Sequence, residues 1–167
     1  MTEAAGLRPS IQGSRVQVGD VAMFYRRSVD ALSCCRRPVV LIHGLGLSGR
    51  YMLPVAERLA RHVPVYLPDL PGFGDSAKPD RALDVPALAD ALAGWIEAMA
   101  LAPVALLGNS FGCQIIADLA ARHPVLVERA VLEERTWLWQ FVRWRQNQPY
   151  NPDSLSPITW RRHRAAS

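Results

Sequence analysis

The chain has 167 residues, half of them hydrophobic and a fifth charged, with mean hydropathy near zero and a formal net charge of +4. That length is one domain's worth, enough to bury a real core, and the composition excludes a disordered or fibrous chain. The charge is uneven: residues 1–134 carry 13 Lys/Arg against 14 Asp/Glu, whereas residues 135–167 carry six Arg against one Asp and four of the five tryptophans. Six arginines over such a length are too sparse to predict a nucleic-acid or membrane surface, and the Trp-rich segment reads as amphipathic helix.

In chain order, Met1–Ser10 contains Glu3 and no apolar run, so no secretory leader is expected and a cytoplasmic location is the default. Arg15–Val18 and Val21–Tyr25 flank Gly19-Asp20 and predict a hairpin. Cys34 and Cys35 are adjacent and the cysteine count is odd, which gives no disulfide framework; Cys113 reads as a small core residue. Pro38–His43 is a continuous apolar run ending in Gly44-Leu45-Gly46, the pattern of a strand covered on both faces. A helix is predicted from about Tyr51 to Arg61, then a strand over Val63–Leu67 and a loop over Pro68–Ser76, dense in Pro, Gly and Asp. Val85–Met99 has helical spacing, Val104–Leu107 reads as a strand, Phe111–Arg122 as a helix and Val127–Leu132 as a strand.

The longest uncharged stretch, Ala98–Ala117, contains Pro103, Gly108, Asn109, Ser110 and Gly112, and so reads as loop, strand, turn and helix start rather than a membrane span. Alternation of strands and helices predicts an α/β domain with a mostly parallel sheet and flanking helices over residues 1–134, followed by a helical tail over 135–167. From Val125 through Gln148 there is neither Gly nor Pro, so the last strand is expected to run through Glu133-Glu134-Arg135-Thr136 directly into Trp137–Gln146.

Ser110 lies in Gly108-Asn109-Ser110-Phe111-Gly112, between a predicted strand and a predicted helix, the setting of a nucleophile elbow. A Ser on so sharp a turn needs small neighbours where strand and helix crowd together. Taken with His43-Gly44-Leu45-Gly46 and Asp69-Leu70-Pro71-Gly72-Phe73-Gly74-Asp75-Ser76, this order of motifs resembles the α/β-hydrolase fold superfamily in its small-molecule esterase-like branch, over about residues 14–134. The tail resembles the cap-domain helices of that family loosely.

The resemblance implies hydrolysis of a small ester or related bond, with Ser110 as nucleophile and the backbone N–H groups of Leu45 and Phe111 as the oxyanion hole. The sequence shows no metal constellation, and Gly44-Leu45-Gly46 lacks the glycine spacing and Lys of a phosphate-binding loop, so no cofactor and no metal are expected. The family's acid and general-base His follow the Ser in chain order, yet only 57 residues follow Ser110. An incomplete fold is therefore expected, truncated or carrying a deletion between Leu132 and Trp137.

Other residues are candidates for the missing groups. His62 and His123 each end a helix and belong to the opposite edge of the sheet; at about 1.5 Å per residue, His123 falls roughly 20 Å from Ser110. His43 ends a strand at the correct edge, where in the family it shapes the oxyanion loop, and His163 lies in the tail. Glu133 or Glu134 follows the strand after the elbow helix, a position some relatives use for the acid, but also reads as a solvated first helical turn. Asp69 and Asp75 read as turn-holding residues. The rival to a hydrolase is a non-catalytic remnant or binding module, self-associating or meeting a partner chain at an open sheet edge.

Overall fold

A computed structural model of the chain describes residues 9–29 and 36–133. Six strands form one sheet. Strand β1 (Ile11–Val18) and strand β2 (Val21–Ser28) make the predicted hairpin, with Val18 paired to Val21 and Gly19 at a φ of 54° in the two-residue turn. Both strands are longer than predicted. The outer half of β1 is polar and exposed, as an edge strand's can be, and so carries no apolar signal. Gly13 leaves room for the Phe24 ring: a Cβ there would stand 2.5 Å from it, and the ring also receives the Arg26 guanidinium 4.6 Å from its centroid.

The chain then enters the middle of the sheet as β3 (Val39–Ile42), crosses by α1 (Leu53–Leu59) to β4 (Val65–Pro68), returns by α2 (Val85–Ala98) to β5 (Val104–Asn109), and continues by α3 (Phe111–Arg122) to β6 (Val127–Glu133). The strand order is β1-β2-β4-β3-β5-β6; β4, β3, β5 and β6 run parallel, and β2 joins β4 antiparallel. The predicted helix over Tyr51–Arg61 is in fact a 3₁₀ turn at Gly49–Met52 leading into a shorter α1, with Pro54 in the first turn where a missing N–H costs nothing.

Alternation along β3 divides the core. Val40 and Ile42 face α2 and α3 together with Trp95, Ile96, Leu106, Ile115, Ile116 and Leu119, while Leu41 faces α1 with Met52, Ala56, Val65 and Leu67. Helix α2 begins at Asp84, whose carboxylate accepts from the Ala87 N–H at 2.9 Å, with Pro86 in its first turn. Its buried residues recur at helical spacing, Leu88, Ala89, Leu92, Ala93 and Ile96. The described residues thus form part of an α/β-hydrolase fold, a mostly parallel sheet with helices on both faces. The predicted tail over 135–167, with Glu134 and His163, lies outside the described residues, as do Cys34 and Cys35.

The path leaves β3 toward β4 on one side and returns to β5 on the other. Strand order therefore reverses between β3 and β5, and in open α/β sheets the crevice outside the carboxyl ends of the strands at such a reversal is where ligands bind.

Candidate functional site

Register places the chemistry at that crevice. Ile42 pairs with Gly108 and Asn109 pairs with Glu133, so the ends of β3, β5 and β6 bring His43, Ser110 and the Glu133 backbone to one edge. Ser110 is exposed and sits immediately before α3 at φ 50°, ψ −117°, a left-handed-side conformation that costs an L-residue about 1–3 kcal/mol. Two hydrogen bonds hold it there: the Ser110 N–H donates to the Glu133 carbonyl at 3.0 Å, and the Ser110 carbonyl accepts from the Cys113 N–H at 2.8 Å. Its hydroxyl makes no capping bond to the helix it precedes.

The flanking glycines are required by close approach. A Cβ on Gly112 would lie 2.5 Å from the Ile42 carbonyl oxygen and 2.9 Å from that of His43; one on Gly108 would lie 3.0 Å from the Cys113 nitrogen. Helix α3 is thus pressed directly on the end of β3. Cys113 is buried behind the turn, its thiol directed to the Gly108 carbonyl, in agreement with a packing role.

His43 is completely buried. The Leu70 N–H donates to its Nε2 at 3.2 Å, so Nε2 carries no proton, and Nδ1–H donates to the Gly44 carbonyl at 2.9 Å. The Phe73 ring meets the imidazole edge-on, 5.2 Å between centroids. Burial drives the His43 pKa below its ordinary value, opposed by the Gly44 carbonyl and the Asp69 charge. A neutral imidazole with both nitrogens engaged is a structural strut and has no lone pair to offer a serine.

Its effect is on the next peptide. The Gly44 carbonyl is held by His43 and also accepts from the Leu47 N–H at 3.2 Å. A trans peptide is planar with its C=O and N–H pointing in opposite directions, so pinning the Gly44 carbonyl fixes the direction of the Leu45 N–H. Phe111, as the first residue of α3, has an N–H with no partner inside the helix, directed past the positive end of the helix dipole.

Asp69 has a larger part than a local turn. It is fully buried, and its Oδ1 accepts from Arg26 Nη1 at 3.0 Å and from the Gly49 N–H at 2.7 Å, while Oδ2 accepts from the Asp75 N–H at 2.8 Å. Arg26 bridges to Asp75 as well, at 2.9 Å. This knot ties β2, the turn before α1 and the loop after β4 into one unit. Gly74 is tightly fitted against it, since a Cβ there would fall 2.0 Å from the Asp69 carboxylate. Arg26 escaped the sequence reading. Its signal was the pair Arg26-Arg27 near the end of a mostly apolar strand, with Asp69 and Asp75 later in the chain in a Pro68–Ser76 stretch that holds no cation.

The other two histidines among the described residues stand where the helix ends predict. His123 caps the far end of α3, 3.0 Å from Asp90, and His62 follows α1 ahead of β4. Among the described residues no group of His, Cys, Asp and Glu is placed to hold a metal ion, and no helix is long and apolar enough to cross a membrane.

A serine on a strand-to-helix elbow thus stands at the same sheet edge as a buried histidine that holds the loop after β3. Comparison with known proteins agrees: residues 39–166 match the alpha/beta hydrolase family, and the chain belongs to it. It is 42% identical over 94 residues to a pimeloyl-[acyl-carrier protein] methyl ester esterase of Chromobacterium violaceum, covering 56% of this chain and 35% of that protein. To a 2-hydroxy-6-oxo-2,4-heptadienoate hydrolase of Pseudomonas putida it is 38% identical over 102 residues, covering 57% and 36%. Among solved structures it resembles a membrane phospholipase A described as a bacterial virulence factor, with TM-score 0.68 and 34% identity over 73% of this chain and 39% of that one. The chain spans little more than a third of the length of these relatives.

Proposed function

We propose that the chain carries the nucleophile half of a serine hydrolase for a small-molecule ester or related bond. The observation that carries this reading is Ser110, exposed at φ 50° between two glycines that admit no side chain, with its hydroxyl unspent on helix capping. Strain of this kind is retained where it presents a reacting group. Ser110 Oγ would attack the carbonyl carbon, the oxygen would take up the negative charge facing the Leu45 and Phe111 N–H groups, and collapse would release the alcohol and leave an acyl-serine for water to hydrolyse. The named esterase and hydrolase relatives support a carbonyl substrate.

The proton on Ser110 needs an acceptor, and the described histidines do not supply it. His43 is engaged at both nitrogens, and His62 and His123 stand at the other end of the helices. Glu133 has its backbone against the elbow, at the position some relatives give to the acid, but an acid serves catalysis only by orienting a base. The base belongs to residues outside the described region or to another chain.

A second reading has its own observation. Strand β6 is the last strand of the described sheet and exposes half of Val131, which suits a non-catalytic module whose edge meets a partner chain. Exposure of the chain and of Ser110→Ala to a fluorophosphonate, followed by intact mass, separates the two. Labelling of the wild type alone supports a hydrolase whose base this chain supplies; absence of labelling in both withdraws catalysis by this chain alone in favour of the module.

A further inference from the structure

The loop after β4 contains a buried hydroxyl that the proposed chemistry does not use. Ser76 is 4% exposed; its Oγ accepts from the Phe24 N–H of β2 at 2.8 Å and donates to the Asp69 carbonyl at 2.6 Å. That carbonyl shares a peptide plane with the Leu70 N–H. Holding one end of a planar trans peptide directs the other, and the other end here is the donor to His43 Nε2. The same device then repeats, since His43 Nδ1–H holds the Gly44 carbonyl and so directs the Leu45 N–H.

We propose that Ser76 is a positioning residue for the candidate oxyanion donor at Leu45, acting through two peptide planes with the His43 ring between them. The inference rests on the reading of Leu45 as an oxyanion donor. Each link is a single hydrogen bond of ordinary length between buried or half-buried groups, from Ser76 Oγ to the Asp69 carbonyl, from the Leu70 N–H to Nε2, and from Nδ1–H to the Gly44 carbonyl. The relay starts on β2, which supplies no reacting group, and so couples the antiparallel part of the sheet to the crevice. The carboxylate of Asp69 acts in parallel. It fastens the same residue to Arg26 and to the Gly49 N–H, leaving the peptide little freedom except rotation about its flanking bonds, which the Ser76 hydroxyl resists.

The relay also fixes a tautomer. With the Leu70 N–H aimed at Nε2, the ring proton must sit on Nδ1, the only arrangement that can donate to Gly44. If the Asp69–Leu70 peptide turns, the ring loses the acceptor role at Nε2 that selects this form, and a mixture of tautomers follows.

The test uses the full chain, as wild type, Ser76→Ala and Asp84→Ala. The last removes the α2 cap eight residues further along the same connection, without touching any hydrogen bond of the relay, and serves as a stability control. Ring-nitrogen NMR signals of His43 and the Leu45 amide signal are read first, then the rate of fluorophosphonate labelling at Ser110. The expected result is an Nδ1–H ring in wild type, a changed ring pattern and a shifted Leu45 amide in Ser76→Ala, and labelling slowed about tenfold to a hundredfold. Asp84→Ala should show none of these.

An Nε2–H ring in wild type, unchanged His43 and Leu45 signals in Ser76→Ala, or equal slowing in both variants would each overturn the proposal. Should Ser76→Ala fail to fold, Ser76→Cys, which keeps the shape with a weak donor, is judged by the same signals. If wild-type Ser110 is not labelled, the hydrolase reading fails for this chain alone, while the His43 and Leu45 signals still decide whether the relay exists.

Discussion

The two ends of the sheet use the same residue types for opposite purposes. At the carboxyl ends of the strands, Asp69 and His43 are completely buried, each with its polar atoms assigned to named partners within the protein. At the other end, Asp90 and His123 also pair, and Arg122 joins Asp90 and Asp118, but the Asp90 side chain is 54% exposed and that of His123 33%. Burial makes the difference. A polar group removed from water must find every partner in the protein or cost its desolvation energy, so it has one geometry. A solvated pair can exchange partners with water at little cost and therefore positions nothing. The first end is consequently a place where angles are held, and the second a place where two helices are lightly fastened.

Four changes would break or sharpen this contrast. Asp69→Ala leaves the Arg26 guanidinium buried beside the lost carboxylate, and should cost about 3–5 kcal/mol in urea unfolding. A loss under about 1 kcal/mol would mean that the knot is solvated like the far end. Ser110→Gly should raise stability by about 1 kcal/mol, because glycine accepts φ 50° without strain and gives back part of that gain as chain entropy. Destabilisation would show the elbow to be relaxed.

The third concerns acidity. The folded pKa of His43 lies below its unfolded value, chiefly through burial, so the unfolded chain binds the extra proton first. Its contribution is fully present above the unfolded value of about 6.5 and is lost as pH falls below it. Stability followed from pH 8 to 5 should decline more steeply in wild type than in His43→Gln, and parallel curves would refute the assignment. The smallest effect is at the far end: Asp90→Asn should lower the midpoint only slightly, with the difference from wild type disappearing at high salt, which screens exposed pairs.

Much of the fold was legible because it is written in local patterns. The helices Val85–Ala98 and Phe111–Arg122 and the strand Val127–Glu133 stand within a residue or so of their predicted limits, since each combines a clear period with its own stop or start residue. Residues around Leu53 were harder, because a 3₁₀ turn and a helix share the same apolar spacing over one turn. In the site, the elbow at Ser110 was legible from Gly108 and Gly112. The Arg26–Asp69 pair was not, as its members are 43 residues apart and meet only because β2 lies against β4.

The sequence by itself determined the alternation of strands and helices, the glycine-framed turn at Ser110 and the separation of His62 and His123 from it, because these follow from periodicity, steric size and the length of a helix. Tertiary structure alone decided which polar groups became struts. Only the pairing of β2 with β4 and of β3 with β4 brings Arg26 to Asp69 and Leu70 to His43, and only burial then removes the water that would otherwise have left their geometry free.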